Sequence, residues 1–133
     1  MNENGLVTLA SRFPVGKTTD RLVNAATAAG LRIFARIDHA AGVAEVGMPL
    51  RPTELVIFGH PKGGTPLMVD QQTAGIDLPV KALVWQDEGG AVWLTYNDAT
   101  WIAARHGLDE ASEPAVAAMN LGLARLAQSA GRD

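Results

Sequence analysis

At 133 residues the chain has the length of one domain, and a fold of this size buries about two-thirds of the surface that its unfolded chain exposes. Its net charge of −3, from 11 basic and 14 acidic residues, comes without a basic block, which argues against a nucleic-acid partner. The lack of cysteine excludes disulfides, thiolate nucleophiles and cysteine-ligated zinc, and no apolar run approaches the ~20 residues of a membrane span.

Residues 5–13 alternate Leu6, Thr8 and Ala10 against Val7, Leu9 and Ser11, the period-2 pattern of a strand. Pro14-Val15-Gly16-Lys17 breaks it, and Leu22, Ala25, Ala26 and Ala29 then recur at helical spacing until Gly30 ends the helix. Asp20 is expected in the first turn of that helix, where a negative charge complements the dipole. A second strand over 31–37 sets Leu31, Ile33, Ala35 and Ile37 on one face and Arg32, Phe34 and Arg36 on the other. Asp38 is placed to cap a short helix reaching about Val46, closed by Gly47 and by the prolines Pro49 and Pro52.

Leu55-Val56-Ile57-Phe58 reads as a third strand that stops abruptly in the loop Gly59-His60-Pro61-Lys62-Gly63-Gly64. Thr65-Pro66 resembles an N-cap with proline at the first helical position, which predicts a short helix over 67–73. Residues 80–85 and 91–96 flank Gln86-Asp87-Glu88-Gly89-Gly90 as a β-hairpin. Asn97 or Asp98 caps a helix closed by Gly107, and Ser112 caps a last helix with Val116, Met119, Asn120, Leu123, Leu126, Ala127 and Ala130 on one stripe.

The predicted order is β-α-β-α-β-α-β-β-α-α, an α+β fold with a five-stranded mixed sheet in a single two-layer domain. The hairpin is antiparallel, and the first three strands are expected to run parallel through helical crossovers. Residues 1–108 make the domain; residues 109–133 make a C-terminal helical extension packed on it. The opening residues Met1-Asn2-Glu3-Asn4 lack a basic region followed by an apolar stretch, so a cytoplasmic protein without a membrane partner is expected.

Several short motifs occur in a fixed order: Phe13-Pro14, Leu22, Gly30, Ile37-Asp38-His39, Phe58-Gly59-x-Pro61-Lys62-x-Gly64-Thr65, Leu78-Pro79 and Gly90-x-x-x-Leu94-x-Tyr96. Together, from about Gly5 to Leu108, they resemble the domain-of-unknown-function family 302 of bacteria and archaea. The resemblance implies a small α+β domain, often dimeric, with no established activity. The chain departs from the family at His60, where the pattern is Phe-Gly-Asn-Pro.

With three parallel strands, Lys17, Asp38-His39 and Gly59-His60-Pro61-Lys62 would meet at one edge of the sheet. Lys17, Asp38, His39, Gly59, His60, Lys62, Gly63 and Gly64 are therefore the candidate ligand-binding residues, suited to a phosphate, a carboxylate or another small anion. Gly16-Lys17-Thr18 is not a phosphate loop, because Ser11 stands where its first glycine belongs. His39 and His60, with Asp38, Glu45 or Asp70, are the alternative: a divalent metal site whose bound water would hydrolyse an ester or amide. Against the metal stands the simpler expectation that Asp38 is a helix cap, His39 bonds a backbone carbonyl and His60 is a surface variant of asparagine. No other spacing specifies an enzyme. The 19% charged residues leave enough apolar surface for a homodimer to be expected.

Overall fold

The computed structural model describes residues 3–60 and 62–133; Met1, Asn2 and the loop proline Pro61 lie outside the described residues. In chain order the elements are β1 (Leu6–Ser11), α1 (Val15–Ala28), β2 (Arg32–Asp38), α2 (His39–Glu45), β3 (Thr53–Gly59) and α3 (Thr65–Asp70). A 3-10 turn (Gln72–Asp77) then leads to β4 (Lys81–Gln86), β5 (Val92–Asn97), α4 (Ala99–His106), a second 3-10 turn (Glu110–Ser112) and α5 (Glu113–Gly131).

The five strands lie in the order β1-β5-β4-β3-β2, and every neighbouring pair is antiparallel. The sheet is thus not mixed as expected, and the reason is the length of α2. A parallel crossover must carry the chain back along a seven-residue strand, roughly 23 Å at 3.3 Å per residue. The seven residues of α2 rise only about 10 Å. The chain therefore reverses at the end of β2 and β3 returns beside it.

Helices α1 and α5 cover one face. There Val56 and Phe58 of β3, Ala82 and Val84 of β4 and Leu94 and Tyr96 of β5 meet Leu22 and Ala26 of α1 and Leu123, Leu126, Ala127 and Ala130 of α5. The alanines let the two helices approach closely, so the C-terminal helix is integral to the core. Arg21 of α1 donates to the carbonyls of Ser129, Ala130 and Arg132, supplying cationic partners where α5 runs out of intrahelical donors. A smaller cluster joins Leu67, Ala74, Ala99 and Val116 at one end.

The opposite face carries Ala35 and Ile37, Leu55 and Ile57, Leu83 and Trp85, and Trp93 and Thr95, paired across neighbouring strands. Trp85 stands directly opposite Trp93, with ring centroids 6.4 Å apart. A register shift between Ile33 and Ala35 changes the expected alternation of β2. Ile33 faces the helices while Ala35 and Ile37 turn to the other side, and Phe34 at the bulge is exposed.

Local punctuation follows the sequence closely, with three shifts. Gly30 adopts φ +81, and the N–H groups of Gly30 and Leu31 reach back to Thr27 and Ala26, closing α1 as a Schellman motif. Asp38 and Asp98 cap α2 and α4 through Ala41 N–H and Thr100 N–H. Asp20 falls beyond the first turn, because α1 begins at Val15 with Pro14 before it. At α3 the N-cap is Gly64 and not Thr65, with the helix starting at Thr65. Ser112 does not cap α5 with its side chain; its hydroxyl donates to Asp70 instead.

Candidate functional site

Because β3 runs antiparallel to β2, the expected single edge of the sheet divides in two. In the β2/β3 register Asp38 pairs with Glu54 and Arg32 with Gly59, so Asp38-His39 and Gly59-His60 sit at opposite ends, about 17 Å apart along the strands. Lys17 lies at the start of α1, where the neighbouring Gly16 faces Glu54, the register partner of Asp38. The structure brings together Gly59, His60, Lys62, Gly63 and Gly64; it does not bring Lys17, Asp38 or His39 to them.

The Lys17 end is occupied by structural interactions. Arg36 bonds Asp20 at 2.6 Å and Glu54 at 2.9 Å, tying α1 to β3, and the hydrogen bond it donates to Asp20 leads the causes that raise the Arg36 pKa. Asp38 is committed to its cap, and the Lys17 ammonium lies 4.7 Å from the centre of the Phe13 ring.

The metal arrangement of His39 and His60 with Asp38, Glu45 or Asp70 is therefore not formed. Among the described residues no three His, Cys, Asp or Glu side chains are grouped to hold an ion. Asp70 is taken by the Ser112 hydroxyl at 2.7 Å and by Asp109 N–H at 2.8 Å.

At the other end the 59–64 loop opens onto a cleft. Phe58 and Gly59 close β3, Leu78-Pro79 precedes β4, and Leu31 precedes β2; opposite them stand Ala115, Ala118, Met119, Gly122, Leu123 and Leu126 of α5. These α5 residues share one helical face, so the long helix forms a continuous wall. The cleft has a volume of about 410 Å³, within the range of small-molecule sites. Its space comes from small residues: a Cβ added at Gly122 would meet nothing within 4 Å.

The loop is fixed by its own backbone. Gly63 N–H donates to His60 C=O at 2.9 Å, and Lys62 N–H donates to His60 Nδ1 at 3.1 Å. A Cβ at Gly64 would stand 3.0 Å from Leu78 Cδ1, so the loop lies directly on the Leu78-Pro79 segment, whose peptide bond is cis. His60 and Lys62 are exposed and are the ionisable residues of the lining.

The sequence pointed to the loop but gave no sign that α5 and Leu78-Pro79 would line a cleft with it. The α5 stripe was legible as apolar; the small residues Ala115, Ala118 and Gly122 beside it were the signal that this side of the helix leaves space. A larger depression of about 990 Å³ lies between α4 and α5, lined by Asp109, Glu110 and Glu113 without a basic partner.

Two further polar clusters are structural. Asn120, read as part of the stripe, accepts Ala99 N–H and donates to Asp98 and Thr100, stitching α5 to the start of α4. His106 bonds Asp77 at 2.6 Å and Thr73 at 3.1 Å, while Arg105 shares the same carboxylate. This Thr-His-Asp row clamps the first 3-10 turn to α4, and none of the three main depressions lies on it.

Three aspartates make the fold acid-sensitive. Burial disfavours the charge of Asp98, but hydrogen bonds from Asn120 and Thr100 outweigh it and its pKa falls below the ordinary value. Asp70 is lowered by the Ser112 hydroxyl, and Asp87 by the Trp93 indole. A carboxylate with a depressed folded-state pKa contributes stability above its unfolded pKa and loses it as pH falls through the folded one. The melting temperature should therefore fall as the pH drops below about 4, with Asp98 the chief contributor because Asp70 and Asp87 are screened by solvent. Thermal melts of Asp98→Asn across that range should give a shallower acid limb, and an unchanged limb would contradict this assignment.

The family model described as "Domain of unknown function DUF302" matches residues 7–126, reaching past the motifs into α5. Two curated relatives are each named "Fluoride-specific ion channel FluC 1". The one from Brucella suis is 47% identical over 131 residues, 98% of this chain and 52% of that protein. The one from Brucella abortus is 47% identical over the same length and is covered to 48%. The chain thus spans about half the length of the curated relatives it matches. The "Crystal structure of uncharacterized conserved protein DUF302 from Bacillus stearothermophilus" aligns with a TM-score of 0.83, over 96% of this chain and 98% of that one. At 18% identity this likeness shows the fold.

Proposed function

Since this chain belongs to the DUF302 family of domains of unknown function, we propose from its own geometry that it is a small-ligand-binding module acting as a homodimer in the cytoplasm. The observation that carries the proposal is the cleft between the 59–64 loop and α5. Its walls are apolar, its size suits a small molecule, and its few polar groups come from one loop, the usual composition of a ligand site.

The test fills the cleft without harming the fold. Gly122 stands in mid-helix with open space before it, so Gly122→Leu adds a side chain to the cleft and gains up to about 0.8 kcal/mol of helix propensity. Titration with an environment-sensitive apolar dye should show affinity reduced at least tenfold in this variant, with the melting temperature equal or higher. Equal dye affinity in the two proteins would remove the cleft from consideration.

The dimer reading rests on the sheet face that α1 and α5 leave open, and on the segment beside it. Helix α2 buries no residue, and Phe34, Val46, Met48 and Leu50 are exposed around it. An apolar face of this kind marks an interaction surface, and we assign it to a second copy of this chain.

No helix among the described residues is long and apolar enough to cross a membrane. In the relatives named as fluoride channels, we assign ion conduction to the half that this chain does not match.

A further inference from the structure

We propose that the cleft takes small amphipathic monoanions, molecules with an aliphatic body ending in a carboxylate; this rests on the ligand-binding reading above. The body is specified by the walls, where Leu31, Phe58, Leu78, Val80, Met119 and Leu123 offer apolar surface and no hydrogen-bonding side chain. The charged end is specified by electrostatics. Aspartate and glutamate are absent from the lining, although the chain as a whole is acidic, and the ionisable groups present are His60 and Lys62.

Both present donors. Among the described residues the Lys62 ammonium has no carboxylate partner, in contrast to Arg36 and Arg105, which are engaged by aspartate. The His60 Nδ1 accepts the backbone N–H of Lys62, so the neutral ring carries its proton on Nε2. A lysine ammonium and an imidazole N–H beside an apolar cleft complement an acceptor-only carboxylate whose tail is buried. A cationic headgroup would meet like charge at Lys62. A neutral alcohol would bury the same tail without the charge-assisted bond.

Calorimetric titrations with octanoate, octanol and octyltrimethylammonium separate these terms. For the native chain, octanoate should bind at least about fivefold more tightly than octanol, the effect of one charge-assisted contact, and octyltrimethylammonium should bind more weakly than octanol. Lys62→Gln should abolish the advantage of octanoate while leaving octanol unchanged, and Gly122→Leu should weaken all three. Equal affinities for octanoate and octanol, insensitive to Lys62→Gln but lost in Gly122→Leu, would overturn the anion preference and leave the cleft in place. Affinities unaffected by Gly122→Leu would overturn the cleft reading and this inference with it.

Discussion

Replacing Gly5 by alanine is expected to destabilise the protein by about 3 kcal/mol or more, the sum of left-handed backbone strain and steric overpacking. Gly5 is buried at φ +78, just before β1, and its carbonyl accepts the Asp98 N–H at 2.8 Å where β5 turns into α4. A Cβ there would clash with Cγ and Cδ2 of the Trp101 indole. Relief requires moving either the indole or the backbone that joins the first strand to the fourth helix. Gly42→Ala is the control, since a Cβ in α2 meets nothing within 4 Å and should be neutral or slightly stabilising. Denaturant titrations should show a lower midpoint for Gly5→Ala at unchanged slope; a loss below about 1 kcal/mol would contradict the packing described for Trp101.

The second large effect concerns assembly. Leu55 and Leu83 pair across β3 and β4 on the open face and are half-buried in the single chain. A lysine at either position can lift its ammonium into water in a monomer, whereas in a face-to-face dimer the charge is trapped in an apolar contact. Leu83→Lys should therefore raise the dimer dissociation constant by about a hundredfold or more, as expected for a central contact worth 2–3 kcal/mol. Sedimentation should give a 14 kDa species, while far-ultraviolet circular dichroism remains that of the folded chain. A dimer persisting in Leu83→Lys, or a native chain that sediments as a monomer at micromolar concentration, would place the contact elsewhere or remove it.

Most local structure was legible because it is set by neighbours in sequence. Strand alternation, the caps Asp38 and Asp98, and the helix-ending glycines each need only a few adjacent residues. Strand direction was not legible. The 39–52 connection was long enough for a crossover when counted in residues, but only seven of them are helical and none is buried. Parallel strands would put His39 and His60 at the same edge, whereas β2/β3 pairing separates them by most of a strand.

Hydrogen bonds between residues distant in sequence were equally hidden. Ser112 looked like a cap and Asn120 like a member of an apolar stripe until Asp70 and Asp98 came within bonding distance. The 59–64 residues stay together beside the cleft because their contacts are local and with Leu78-Pro79, whichever way the strand runs. The opposing wall on α5 lies over fifty residues away, and no local pattern links the two.

Amide chemical-shift mapping of the native chain during an octanoate titration tests the location of the site most directly. Saturable shifts should cluster in residues 59–64, 78–80 and 115–126. Shifts confined to residues 14–17 and 38–39, or to the open sheet face, would contradict the assignment of function to this cleft.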